Sequence, residues 1–272
     1  MNLLDPQLSA DGGVELTVAG EVATVSLVRA ETRNAQVPAT WRALAAIPDH
    51  LDTNVRVVII RAEGKSFSAG IDLRMLNPQG TGIAGESSLF DLTALDDGPF
   101  DEVIEGFQEA FLWWRERDLV SIAAVNGHAI GAGFQLALAA DLIVAADDAR
   151  FCMREPQLGL VPDLGGTAPL VGAVGYARAL EICATGRWVE ADEAVRLGIA
   201  LGAVPRSELM ARVSELATAI CAAPRGAISE TKRLLAGAAR RTHREQAAAE
   251  RWAQRRRVLE LAAVIAGASS QA

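Results

Sequence analysis

Asn126-Gly127-His128-Ala129-Ile130-Gly131-Ala132-Gly133-Phe134-Gln135-Leu136 is the stretch on which the reading of this chain turns. It follows residues 120–125, a β-branched apolar run that predicts a strand, and opens residues 131–140, whose small side chains predict a helix. Glycines at a strand-to-helix junction let the backbone approach a ligand closely. The unpaired N–H groups of the first helical turn then point at that ligand. A phosphate or an enolate oxygen is favoured there. Gly131-Ala132-Gly133 begins like a dinucleotide-binding fingerprint. Leu136 stands where the third glycine belongs, however, and the site lies mid-chain, so that reading is set aside. Taken alone, the junction is better explained by a helix packed tightly on a sheet with no ligand.

Outward from the junction the pattern is α/β. Residues 14–18 alternate apolar and polar, residues 22–28 are β-branched, and Ala19-Gly20 turns between them, which predicts an opening hairpin. Residues 38–52 predict a helix interrupted at Pro48, and residues 55–60 (VRVVII) a strand covered on both faces. Two strands, a helix and a further strand make a ββα pattern. Residues 77–99 break the periodicity with four glycines and two prolines, as a lid or mobile loop does. Residues 101–117 predict a helix, 142–146 and 150–153 strands, and 176–184 and 190–197 helices, the last ended by Gly198. From residue 207 the pattern is helical. The charged segment 242–263 needs a surface to pack on, either the core or another subunit. The division expected is a core of residues 1–205 and a helical region of residues 206–272 that serves oligomerisation.

The bulk numbers bound the function. The chain has 272 residues, half of them hydrophobic, with a net charge of −8, so it lacks the broad basic field that a nucleic-acid surface requires. The most apolar window, residues 122–146, contains Asn126, His128, Gln135 and Asp141, which are costly in lipid; no membrane span is expected. The start of the chain lacks the charged and apolar regions of a signal peptide. Cys152, Cys183 and Cys221 are odd in number and widely spaced, matching neither a disulfide framework nor a metal site. They are expected as buried thiols in a reducing, cytoplasmic setting.

Two more glycine-containing sites flank the first in the sequence. One is Ser66-Phe67-Ser68-Ala69-Gly70-Ile71-Asp72-Leu73, after the buried strand; the other runs from Leu158-Gly159 through Pro162-Asp163 to Gly165-Gly166-Thr167. Together with Arg33-Asn34-Ala35, Ala124-Val125-Asn126-Gly127, Ala140-Asp141 and Glu155, in this order and spacing, they resemble the crotonase, or enoyl-CoA hydratase/isomerase, family over residues 14–246. That resemblance implies a spiral of ββα units with a helical C-terminal region, an acyl-CoA substrate, and homotrimers or hexamers built as paired trimers. No metal or redox cofactor is implied, since CoA arrives with the substrate. It also implies that the backbone N–H groups of Ile71 and Ala132 form an oxyanion hole for a thioester enolate. Preorganised donors suit that task, and losing one elsewhere costs about 2.7–4 kcal/mol. CoA is expected against Ser66, Ser68 and Ala69, with Arg74 and Lys232 near its phosphates.

The reaction hangs on three side chains. Family hydratases carry a glutamate two residues after the Gly-x-Gly site and a second one twenty residues later; here those positions hold Gln135 and Glu155. An amide hydrogen-bonds water but exchanges no proton with it. Double-bond isomerisation is therefore favoured, with Glu155 as base, as in 3-enoyl-CoA isomerases. Asp163 occupies the place of an aspartate in dienoyl-CoA isomerases and is a candidate second acid/base, although those enzymes have an acid at the Gln135 position. Asp163 reads alternatively as a helix N-cap, and Glu155 as a salt-bridged surface carboxylate. Trp113-Trp114 reads as helix packing, and His128 as structural. A weak hydratase and a non-catalytic acyl-CoA-binding protein are the competing functions.

Overall fold

The computed structural model of the chain describes residues 2–269. It opens with a helix absent from the sequence reading, α1 (Pro6–Gly12), capped by Asp5, which accepts from the N–H groups of Gln7 and Leu8. β1 (Val14–Ala19) and β2 (Val22–Leu27) form the expected hairpin, with Val14 and Leu16 buried and Glu15 and Thr17 exposed. α2 (Pro38–Ala46) gives way to a 3-10 turn, Ile47–His50, that contains Pro48. β3 (Val57–Ala62) starts two residues later than expected, because the N–H groups of Val55 and Arg56 go to Asp52 and Glu21 in the approach to the strand. α3 (Asp97–Glu116) starts four residues earlier than expected. Pro99 falls in its first turn, where a missing N–H costs no helical hydrogen bond.

The chain continues through β4 (Val120–Val125), β5 (His128–Ile130), α4 (Ala132–Ala139), β6 (Leu142–Ala146) and β7 (Arg150–Cys152). Then come α5 (Thr167–Val174), α6 (Tyr176–Thr185), β8 (Val189–Glu190), α7 (Ala191–Arg196), β9 (Gly202–Val204) and α8 (Leu209–Ala222). α9 (Arg225–Ala238) and α10 (His243–Ser269) complete it. Of the strands of two or three residues, β7 is legible in the sequence (expected at residues 150–153) and β5, β8 and β9 are not.

Among the described residues six strands form one sheet in the order β1-β2-β3-β4-β6-β9, parallel after the hairpin, and three form a second in the order β5-β7-β8. Isolated pairings of Gln36 with Ile71 and of Ser68 with Ala129 extend the second layer. Each step of the chain thus lays one strand in the large sheet and one short segment in the second layer, then a helix: β3, residues 68–71, α3; β4, β5, α4; β6, β7, α5. This is the expected ββα repeat. The core fills with Trp41 and Leu44 of α2 and Phe111 and Trp114 of α3. Trp113 and Trp114 stack at 4.0 Å and donate to the Leu44 and Ala110 carbonyls, so they are packing residues as expected.

The contacts divide the chain into two compact units, Met1–Ala217 and Thr218–Ala272. The first contains both sheets. In the second, Glu230 of α9 accepts both arms of the Arg256 fork from α10, at 2.8 and 2.7 Å. No helix among the described residues is long and apolar enough to cross a membrane. Of the three cysteines only Cys152 is buried; Cys183 and Cys221 lie on helix sides and are half-buried, which corrects the expectation for those two.

Candidate active site

The second layer brings two glycine-containing segments face to face. Residues 68–72 run between residues 34–36 and β5. Ser68 N–H donates to His128 O and Ile130 N–H to Ser68 O, both at 3.0 Å, while Gln36 N–H donates to Gly70 O (2.7 Å) and Asp72 N–H to Gln36 O (2.8 Å). In this pairing the Ile71 N–H meets no acceptor among the described residues. Opposite it, Gly131 caps α4 at φ +50°, donates to Cys152 O and accepts from Gln135 N–H. Ala132 is the first helical residue, and its N–H is likewise without an acceptor among the described residues. Gly70, at φ +85°, lies so close that a Cβ there would sit 2.5 Å from Ile130 O and 3.6 Å from Ala132 N. A side chain at residue 70 would force the two segments apart.

Ile71 and Ala132 both line a cavity of about 1080 Å³. Glu155 and Asp163 line it too. Glu155 starts a 3-10 turn (Glu155–Leu158) and is 9% exposed, which rules out the reading as a salt-bridged surface group. Its Oε1 accepts from Gln135 Nε2 at 2.6 Å; its Oε2 is buried with no partner. Burial pushes the Glu155 carboxyl above the usual glutamate range and the charge of Asp163 adds to the rise, against hydrogen bonds from the backbone and Gln135. Gln135 is fully buried and does not line the cavity. Its Oε1 accepts from Leu164 N–H (3.0 Å) and Gly166 N–H (3.3 Å), which turns its amide nitrogen toward Glu155. Gln135, at the position where a hydratase's first acid would hold water, is thus a strut behind Glu155.

Asp163 is exposed and lines the cavity; the protein atoms packed around its carboxyl push its pKa up, against a backbone hydrogen bond. It is not a helix cap: Gly166 holds the N-cap position of α5, without a side-chain bond. Gln108 Nε2 of α3 donates to the Asp163 carbonyl at 2.7 Å and fixes the segment.

Of the residues expected to meet CoA, Ala69 and Arg74 line the cavity, and Ser66 and Ser68 do not. Ser68 is wholly buried, donating to Asn34 O and accepting from Gln36 and Gly70, while Ser66 is buried beside His128. Both serines hold the loop together. Arg74 forms a two-pronged pair with Asp72, at 3.0 and 2.7 Å. Lys232 stands on α9 in the second unit.

Five contributors to the wall were missed. Trp41 and Phe107, 4.7 Å apart, form an apolar part of it with Leu89 and Ile104. Arg154 stands beside Glu155, over the Trp188 ring at 5.6 Å. Helical periodicity puts Trp41 and Phe107 on inward faces, but not against a cavity. The assembled wall offers two unpaired N–H donors, a buried carboxylate oxygen free to take a proton, and a second carboxyl. It is suited to hold an oxygen that gains negative charge while a nearby proton moves.

Comparison with known proteins gives a consistent result. The family model for enoyl-CoA hydratase/isomerase matches residues 17–258. Carnitinyl-CoA dehydratase from Salmonella typhi is 43% identical over 167 residues, 61% of this chain and 58% of that protein, so the match spans less than two thirds of the relative. Among solved structures, a Thermobifida fusca YX protein assigned as an enoyl-CoA hydratase, in complex with acetoacetyl-CoA, superposes with a TM-score of 0.90 at 46% identity, covering 95% of this chain and 99% of that one. An enoyl-CoA hydratase from Polaromonas sp. JS666 gives a TM-score of 0.78 at 29% identity, covering 89% and 90%. With the ββα repeat, the helical C-terminal region and a family match over most of its length, the chain belongs to the enoyl-CoA hydratase/isomerase, or crotonase, family.

Proposed function

We propose that the protein moves the double bond of an unsaturated acyl-CoA thioester. The observation that carries this reading is the Gln135–Glu155 pair: where a hydratase of this family would have two acids, one position is an amide whose oxygen is already taken by two backbone N–H groups. One carboxylate remains to exchange protons there. The thioester oxygen accepts from Ile71 N–H and Ala132 N–H. Glu155 Oε2 removes a proton from carbon, the C–H electrons shift toward that oxygen as an enolate, and return of the proton at a different carbon leaves the double bond moved. Asp163 extends the reach of the transfer when the two carbons are far apart. Only protons and double bonds move, so the step needs no electron acceptor. Ala69 and Arg74 lie where the CoA portion runs along the wall, and the acyl group occupies the apolar side at Trp41 and Phe107.

A second reading, addition or loss of water, is favoured by the name of the Salmonella relative. One assay separates the two. With 3-enoyl- or 3,5-dienoyl-CoA, isomerisation creates or extends conjugated absorbance. With 2-enoyl-CoA, hydration removes it. If neither changes while acyl-CoA still binds, and Glu155→Ala leaves that binding intact, the protein is a carrier and the enzymatic reading falls. We also propose homotrimers or paired trimers, supported by the exposed apolar side chains of α10, among them Trp252 and Leu261.

A further inference from the structure

The loop of residues 77–99 is tied down by a carboxylate that the proposed chemistry does not use. α2 begins behind Val37, which offers no side-chain acceptor to the first-turn N–H groups. The acceptor comes from 47 residues away: Glu86 Oε1 takes the Ala39 N–H at 2.9 Å and Arg42 Nη2 at 2.7 Å. The Glu86 side chain is 4% exposed. A carboxylate at this helix end also meets the positive end of the dipole. The loop's own bonds aim it there. Thr81 Oγ1 donates to the Glu86 carbonyl (2.8 Å) and accepts the Ile83 N–H (3.0 Å), and Leu89 N–H donates to Met75 O (2.8 Å). Ile83 and Ile71 pack against one small cluster of Val37, Ala39 and Met75. Leu89 of the loop and Trp41 of α2 both line the cavity.

We infer that Glu86 is a positioning residue that sets the length of acyl group admitted, by fastening the loop that carries Leu89 to the start of the helix that carries Trp41. The inference rests on the reading of this cavity as an acyl-CoA site. Glu86→Gln keeps an acceptor for Ala39 and loses the ion pair; Glu86→Ala loses both. Thr81→Val loosens the loop from within without touching α2.

The test is calorimetric binding of butyryl-, octanoyl- and dodecanoyl-CoA to the full chain, with amide exchange at Leu89 as a second readout. Glu86→Ala is expected to shift the butyryl-to-dodecanoyl Kd ratio toward the longer chain by about tenfold, or about 1.4 kcal/mol, and to speed exchange at Leu89. Thr81→Val moves both in the same direction. Glu86→Gln stays near wild type. Arg187→Ala, which breaks the ion pairs to Glu181 and Glu193 elsewhere in the fold, lowers Tm and leaves the ratio alone. A folded Glu86→Ala with an unchanged ratio overturns the inference; if that variant does not fold, an unchanged ratio in Thr81→Val does so. A wild type that binds these ligands but shifts no double bond in 3-enoyl- or 3,5-dienoyl-CoA sinks the proposed reaction and leaves the ratios to decide this point. A wild type that binds none of them overturns both.

Discussion

At the scale of the residue, the Glu155 carboxyl is defined by what surrounds it. One oxygen is engaged by Gln135 and the other is buried without a partner, and burial holds the pKa above its usual value. Glu155→Gln should lower turnover by about 10²- to 10⁴-fold, the usual worth of a general base, with acyl-CoA affinity little changed in a calorimeter. The pH dependence has a definite sign. The base works only when ionised, so kcat/KM should fall as pH drops through the raised pKa, with an acid limb above the ordinary glutamate value of about 4.3. Stability runs the other way. A carboxyl whose pKa is higher folded than unfolded contributes stability in full below its unfolded pKa and loses it as pH rises through the folded value. At neutral pH the ionised Glu155 is therefore a cost, and Glu155→Gln should have a higher Tm than wild type at pH 7 and no such advantage in acid. A lower Tm at pH 7 would contradict this account. The proton taken by a buried oxygen exchanges slowly with solvent, so a deuterium label on the substrate should survive in the isomerised product, as mass spectrometry can read. The spacing of Gln135 and Glu155 was legible in the sequence. The amide's role as a strut was not, because its partners at Leu164 and Gly166 lie some thirty residues away and arrive only with the fold.

At the scale of the element, the segment of residues 68–72 works because two neighbours hold it by backbone bonds and Gly70 lets it touch the junction of β5 with α4. Gly70→Ala forces a Cβ to 2.5 Å from Ile130 O in a backbone conformation that L side chains avoid. Moving one N–H donor out of line is expected to lower kcat by about 10²- to 10³-fold, measured under substrate saturation, while circular dichroism stays native. An unimpaired Gly70→Ala would remove the donor pair from the proposal. The motif was visible in the sequence, since glycine has a distinct steric meaning. Ser66 and Ser68 were harder, because a serine side chain bonds equally well to a ligand or to its own loop; here the carbonyl of Asn34 and the side chain of Gln36 take Ser68. Residues 77–96 read correctly as irregular, while 97–99 open α3; the loop's anchor did not show, because a glutamate that caps a helix 47 residues upstream leaves no local pattern.

At the scale of the whole molecule, elements with a strong period were readable, and of the short ones only β7 and α7 were. The hairpin, β4, β6 and the C-terminal helices follow from alternation or helical spacing; α1, β5, α5, β8 and β9 depend on contacts that no window of sequence contains. Trp252, Leu259, Leu261, Val264 and Ile265 on α10 are each more than half exposed, too much apolar surface for one helix to leave in water. Light scattering on the full chain should give a mass that is a multiple of the single chain, and charged replacements at Trp252 and Leu261 should lower it. A monomeric wild type would contradict the proposal of trimers. The ββα repeat has one more consequence. Ile71 and Ala132 come from successive turns of one coil, on either side of the exposed 77–99 loop. A backbone nicked in that loop would divide the donor pair between two polypeptides, neither able to act alone. Recovery of turnover on mixing them would then report, as a split reporter does, on the reassembly of the coil itself.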